Sequence, residues 1–158
     1  MDGSASKLFD TRRIFLDLPG ESMAGTLGEL ARRLEAAGEV KDATDLAARL
    51  LERERLGCTG LGNGVAIPHC KLSGLESAVV AVGVVPGGVD FHTLDGRPVR
   101  LVLLVLSPAD APAGHLQALA RISRLMKTPG VTEAVLSGES PEEVARALRS
   151  AESRIASA

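Results

Sequence analysis

The sequence predicts a single α/β domain in which a central β-sheet carries helices on both faces. Two almost continuous apolar runs, at residues 77–85 and 99–106, are typical of strands that are covered on both sides. The segments around them place leucines at helical spacing, which indicates amphipathic helices packed on such a sheet. The chain has 158 residues, enough for one substantial core. We therefore expect a domain over residues 11–152, a flexible N-terminal tail over 1–10 and a C-terminal tail over 153–158.

The N-terminal half predicts one strand and two helices. Residues 13–18 form the strand, and Pro19-Gly20 closes it. The first helix starts at Ser22, with Thr26 as a competing N-cap, and stops at Gly38. The second helix covers residues 42–55 and stops at Gly57. The predicted buried faces carry Leu27, Leu30, Leu34 and Ala37 in the first helix, and Leu46, Leu50 and Leu51 in the second.

The C-terminal half predicts a short strand at residues 89–91 and three helices after the second apolar run. Ser107-Pro108 ends that run, and Asp110-Ala-Pro112 opens the first of these helices, which continues to about Lys127. Thr128-Pro129 starts a short helix, which carries Val131 and is closed by Gly138. The last helix opens at Ser140-Pro-Glu-Glu143, a capping box with proline at the first helical position.

The composition excludes several classes of function. There is no Trp and no Tyr, and the net charge is −2, so the chain has neither stacking platforms nor a general attraction for nucleic acid. Two cysteines, Cys58 and Cys70, fit a reducing compartment and are too few for a disulfide framework. No apolar segment is long enough to cross a bilayer, and no targeting signal is visible. We expect a cytoplasmic protein that binds no nucleic acid and does not insert into membranes.

A glycine-rich stretch presents the first candidate functional residue, His69. Glycines at positions 57, 60, 62 and 64 precede Val65-Ala-Ile-Pro-His69. Pro68 has a fixed φ and holds Ile67 extended, so the imidazole is carried on a stiff segment. One interpretation is chemistry at this ring. The other is a glycine-rich hairpin whose histidine lies at a surface turn.

Arg53 is the second candidate, because it shares the buried face of the second predicted helix. It follows Leu46 by seven residues and Leu50 by three. A guanidinium there needs an anion or a carbonyl. It can bind the last carbonyls of its own helix, or it can face His69, since the glycine-rich stretch begins four residues later.

His115 is the third candidate, in the first turn of the helix after the long strand. It is in line with Leu119, Ile122 and Met126, so it faces the sheet, where it is either a core histidine bound to a carbonyl or part of a site. Residues 55–75 and 111–132, which carry His69 and His115, contain no acid although the chain has 20. This pattern favours an anion site over chance clustering. His92 lacks such a context and is predicted to lie in a surface loop.

Of the chemistries open to two histidines and an arginine, phosphoryl transfer through histidine fits best. A metal site would need adjacent His69 and Cys70 to share one ion, and a Cys-His hydrolase would need Cys70 in line with its neighbour. A phosphohistidine needs only cationic and N–H donors, so no metal and no cofactor is expected. Arg53, His115 and the glycine-rich backbone at Gly62, Asn63 and Gly64 are the predicted donors.

The segment Gly62-Asn-Gly-Val-Ala-Ile-Pro-His69, with residues 51–60 before it, resembles the active-site motif of fructose/mannitol-type IIA domains of the bacterial phosphotransferase system. The resemblance continues through Asp95-Gly-Arg-Pro-Val99 and His115, and covers residues 16–148. The sequence of residues 60–64 is especially similar to the corresponding segment of nitrogen-regulatory IIA proteins. The family fold that it implies is a mannitol-type IIA fold with a mixed central sheet.

The resemblance also implies roles and partners. His69 would accept a phosphoryl group from HPr or its nitrogen-branch counterpart, His115 would bind the ring or the phosphoryl oxygens, and Arg53 would neutralise charge. Cys70 stands where many members have glycine, which would make the site sensitive to oxidation. We expect a phosphotransferase with a regulatory role, acting on a target protein. The alternative is a sugar-specific IIA component that hands the group to a IIB domain, and a relative that has lost its chemistry is disfavoured because all three side chains are present.

Overall fold

A mixed β-sheet of six strands organises the part of the chain that the structure, a computed structural model, describes: residues 8–157. The strands are β1 (Ile14–Phe15), β2 (Gly60–Gly62), β3 (Val65–Ala66), β4 (His69–Leu72), β5 (Val79–Val89) and β6 (Val99–Pro108). Their order is β1-β5-β6-β3-β2, and β4 follows β3 along the same edge of β6. β5 and β6 are antiparallel, whereas β3 and β4 run parallel to β6. The predicted mixed sheet is confirmed.

Helices cover both faces of this sheet, as predicted. They are α1 (Met23–Ala36), α2 (Ala43–Leu56), α3 (Pro112–Lys127), α4 (Val131–Leu136) and α5 (Pro141–Ser157). Side chains of β5 and β6 alternate between two apolar clusters, one shared with α1 and α2 and the other with α3, α4 and α5. Both central strands are therefore apolar along nearly their whole length. Among the described residues no helix combines the length and the apolar character needed to span a membrane.

Local capping signals predicted most helix ends correctly. The Ser22 hydroxyl accepts the Gly25 N–H at 2.9 Å, and Gly38 has φ +78° just after α1. Thr26, the competing cap, is instead buried and donates its hydroxyl to the Pro19 carbonyl at 2.6 Å. Ala37 was predicted on the buried face of α1 but lies exposed beyond its last turn.

The strands depart from the sequence predictions in three places. The first strand is only two residues long. Thr11–Arg13 forms a 3-10 turn that carries the buried Arg13 to the Val80 carbonyl, and the strand ends at Phe15. No separate strand forms at 89–91: Val89 is the last residue of β5, which continues across an irregularity between Val84 and Val89, and residues 90–91 lie beyond it. The glycine-rich stretch, predicted as a turn and an extended segment, contributes β2, β3 and β4.

Side chains near both predicted domain boundaries pack on the core. Residues 1–7 of the N-terminal tail lie outside the described residues, but Leu8 and Phe9 are buried in the core. At the other end, α5 continues past the predicted boundary at residue 152 to Ser157, and Ile155 packs on the core. Apolar side chains near both termini pack in the same cluster. Composition alone does not predict this long-range contact.

Candidate active site

His69 lies at the edge of the sheet, as the first residue of β4. It is in register with Val105 of β6, and the Pro68 carbonyl before it accepts the Val105 N–H at 3.0 Å. The ring therefore stands on the same face as Val105, toward α3, while Cys70 points to the cluster under α1 and α2. The stiffness predicted from Pro68 is supplied mainly by pairing with a central strand.

The hydrogen bonds of His69 define which ring nitrogen is free. Nδ1 lies 2.8 Å from the Ile67 carbonyl, and because a carbonyl only accepts, Nδ1 carries the hydrogen. In the neutral ring Nε2 then keeps its lone pair. Arg53 Nε–H donates to this atom at 3.3 Å. The structure thus directs Nε2, the ring nitrogen with the lone pair, toward a guanidinium.

Arg53 satisfies both interpretations that its place in the sequence left open. Its Nη1 donates to the Gly57 carbonyl at 3.0 Å, just beyond the end of α2, while Nε reaches His69. The guanidinium is half-buried and held from two sides. The Arg53 side chain therefore extends past the edge of the sheet, from α2 on one face to the His69 ring on the other face.

His115 is buried in the first turn of α3 and faces His69. The two ring centroids are 5.5 Å apart and the ring planes are tilted by 52°. Its Nδ1 lies 2.7 Å from the hydroxyl of Ser107, near the end of β6. Burial lowers the pKa of His115, and electrostatic interactions with His69 and Lys71 lower it further.

Ser107, which was predicted only to end a strand, also lies next to His115. It is fully buried and orients the His115 ring through its hydroxyl. A polar side chain closing an otherwise apolar strand is a signal that could have identified it.

The predicted backbone donors at Gly62, Asn63 and Gly64 lie elsewhere. Asn63 and Gly64 have positive φ and form the tight turn between β2 and β3. The Asn63 N–H donates to an Asp95 carboxylate oxygen at 2.9 Å, and the Gly64 carbonyl accepts from the N–H of Leu101. Leu101 is four residues from Val105, the partner of His69, which is about 13 Å along β6. The structure does not bring this turn to the histidines, because the register of β3 and β4 separates them.

The cysteines and the remaining histidine take no part in the site. Burial raises the pKa of the Cys70 thiol to about 11, which opposes the predicted oxidation sensitivity. Cys58 is exposed, and His92 is exposed in a loop as predicted. Between residues 8 and 157 no three His, Cys, Asp or Glu side chains are grouped closely enough to hold a metal ion.

Comparison with known proteins matches this arrangement to one family. The model of the EIIA 2 family of the phosphoenolpyruvate-dependent sugar phosphotransferase system covers residues 7–151. The chain belongs to this family. The recognition of a fructose/mannitol-type IIA domain from the glycine-rich motif is therefore confirmed, together with the fold that it implied.

Relatives of this IIA protein fall into two groups. The nitrogen regulatory protein of Pseudomonas aeruginosa is 37% identical over 130 residues, which are 82% of this chain and 84% of that protein. The fructose-specific EIIA component of Haloferax volcanii is 34% identical over 131 residues, 83% of this chain and 85% of that one. The crystal structure of nitrogen regulatory protein IIA-Ntr from Neisseria meningitidis superposes with a TM-score of 0.83 at 31% identity, and covers 92% of this chain and 99% of its own.

Proposed function

We propose that this IIA protein accepts a phosphoryl group on Nε2 of His69 from a phosphohistidine protein of the HPr type and acts as a metabolic regulator. The observation that carries the proposal is the ring geometry: Ile67 holds the hydrogen on Nδ1, and the lone pair of Nε2 faces Arg53. A nucleophile with a defined tautomer and a cation beside it suits phosphoryl transfer.

In the proposed step, the Nε2 lone pair attacks phosphorus while the nitrogen–phosphorus bond of the donor histidine breaks. The donor nitrogen recovers its lone pair, so the exchange needs no metal and no water. Positive charge develops on the His69 ring, and the Ile67 carbonyl at Nδ1 faces that charge. Arg53 turns from Nε2 to the phosphoryl oxygens, and His115, whose ring faces His69, donates to them as well.

Exposed leucines beside the site support a protein as the phosphoryl donor. Leu56, at the end of α2, is 79% exposed, and Leu116, next to His115, is 68% exposed. They are two of the three large apolar side chains that stand exposed among residues 8–157. Apolar side chains around a polar centre are typical of a docking surface. A donor cascade of this kind operates in the cytoplasm, which is where we place the protein.

The regulatory role rests on similarity to nitrogen regulatory proteins and on the charge of phosphohistidine. Phosphorylation adds a charge of roughly −2 beside the exposed leucines and so changes docking to a target protein. The fructose-specific relative at 34% identity favours the second candidate, a IIA component that passes the group to a IIB domain.

The test is incubation with phosphoenolpyruvate, enzyme I and an HPr-type protein. We expect one acid-labile phosphate on the wild type and none on His69→Ala. Phosphorylation of the His69→Ala variant, or none of the wild type with an active donor, would contradict the assignment. Transfer onward to a purified IIB domain would favour the sugar-specific role over the regulatory one.

A further inference from the structure

Glu54, the neighbour of Arg53 in the last turn of α2, is a buried acid without a cationic partner. Its exposed fraction is 9%, and no salt bridge within residues 8–157 includes it, whereas the buried Glu152 pairs with Arg121. Desolvation and the negative end of the helix dipole both oppose a carboxylate at this position. Packing alone does not account for it, because a neutral side chain would be less costly there.

The carboxylate binds one residue twice. One oxygen accepts the Thr59 N–H at 3.2 Å, and the other accepts the Thr59 hydroxyl in a short hydrogen bond. Thr59 is itself buried, at 6% exposure. Bonds to an ionised acceptor are stronger than neutral ones, so the loop that leaves α2 is fixed to the helix end.

From Thr59 the hydrogen bonds continue to the His69 ring. The Thr59 carbonyl accepts the Ile67 N–H at 3.0 Å, and the Ile67 carbonyl accepts the Nδ1–H of His69 at 2.8 Å. The last turn of α2 therefore reaches both ring nitrogens. Arg53 contacts Nε2 directly, and Glu54 reaches Nδ1 through two backbone links.

We propose that Glu54 and Thr59 are positioning residues that hold the Ile67 carbonyl against Nδ1 and so keep Nε2 of His69 unprotonated and facing Arg53. This inference rests on the proposed role of His69 as phosphoryl acceptor. It explains why an acid is retained where burial disfavours it: an anionic acceptor fixes both the N–H and the hydroxyl of Thr59 without a competing donor.

The decisive variant is Thr59→Val, which removes the hydroxyl and keeps the shape of the side chain. In ¹⁵N NMR spectra of the full-length protein we expect the wild-type His69 ring as the Nδ1–H tautomer and the variant ring as a mixture of both tautomers. Phosphoryl acceptance should fall about 10- to 100-fold, because the attacking atom is then misplaced or protonated. Thr59→Ser, which keeps the hydroxyl, should restore both properties.

Thr26→Val is the matched control, since it removes another buried threonine hydroxyl, bonded to Pro19 and not to the site. It should lower stability and leave the tautomer and acceptance unchanged. A wild-type tautomer in Thr59→Val, or an equal shift in Thr26→Val, would overturn the proposal. If Thr59→Val does not fold, Glu54→Asp, which withdraws the carboxylate by one methylene, is judged by the same criteria. The NMR readout needs no phosphoryl donor, so it tests positioning even if His69 accepts nothing.

Discussion

Replacing Arg53 by Gln removes the guanidinium that faces the proposed acceptor atom. Arg53 Nε lies 3.3 Å from Nε2 of His69, so a phosphoryl group on Nε2 places its oxygens within reach of the same side chain. The substitution should shift the phosphoryl equilibrium toward the donor protein. Folding should be little changed, because Arg53 is only half-buried and makes no ion pair among the described residues.

The expected size of the shift follows from the bonds exchanged. A hydrogen bond to a charged group is worth about 1.5–3 kcal/mol, and the bond that Arg53 gives up at the neutral ring about 1 kcal/mol. If Arg53 forms one hydrogen bond to the phosphoryl group, the net stabilisation of the phosphorylated state is therefore about 0.5–2 kcal/mol. The Gly57 carbonyl holds Nη1, so only Nη2 can donate a second hydrogen bond to the phosphoryl oxygens. For the stabilisation lost in Arg53→Gln we take about 2 kcal/mol, which shifts the phosphoryl equilibrium about 30-fold.

The assay equilibrates the phosphorylated HPr-type donor with the IIA protein and measures the phosphorylated fraction of each by mass spectrometry at neutral pH. Arg55→Gln is the matched control. It removes the same charge from the same helix turn, but Arg55 is exposed and its Nη1 pairs with Glu52 at 3.0 Å. A general effect of net charge would change the phosphoryl equilibrium constant of both variants equally, whereas loss of the contact with His69 would change it only in Arg53→Gln.

An equilibrium constant for Arg53→Gln within about twofold of the wild-type value would refute this reasoning, since it is below the smallest value the bonds allow. A shift of equal size in Arg55→Gln would do so as well, because it would assign the effect to charge and not to contact. Arg53→Lys should recover part of the loss, as a point charge without the planar fork.

Two further predictions follow from the pKa shifts. Because burial lowers the pKa of His115, the unfolded chain binds a proton that the folded chain does not, so stability should fall as the pH drops below the ordinary value of about 6.5. In urea unfolding at about pH 7.5 and 5.5, His115→Gln should lose less stability than the wild type, and an equal loss would contradict this account. With its pKa raised to about 11, Cys70 should be alkylated by iodoacetamide far more slowly than the exposed Cys58, because only about one thiol in a thousand is ionised at pH 8. Equal rates by mass spectrometry would show that Cys70 is not protected.

Features that depend on near neighbours in the chain could be predicted from the sequence. Ser22 and Gly38 mark the ends of α1, and the apolar runs identify β5 and β6 as strands covered on both sides. Periodicity alone also placed His115 on the face toward the sheet. These signals are local, because a cap or an alternation is set within one or two turns of chain.

The glycine-rich motif identified the family correctly but misled about its own geometry. The turn at Asn63 and Gly64 was expected beside the phosphoryl group, yet it pairs near Leu101 while His69 pairs with Val105. Spacing in the sequence does not reveal that two short strands lie end to end along one edge of β6. Strand register is decided by pairing between distant segments.

By itself, the sequence determined the layered fold, most of the helix ends and the three candidate side chains Arg53, His69 and His115. Only the tertiary structure decided how they are arranged around one another. The orientation of the two rings depends on hydrogen bonds with the Ile67 carbonyl and the Ser107 hydroxyl, and the buried Glu54 finds its hydrogen-bond donors only when the loop at Thr59 folds back on α2. The physical reason is that periodicity assigns a residue to a face, whereas a tautomer and a distance are set by contacts between segments that the chain brings together only on folding.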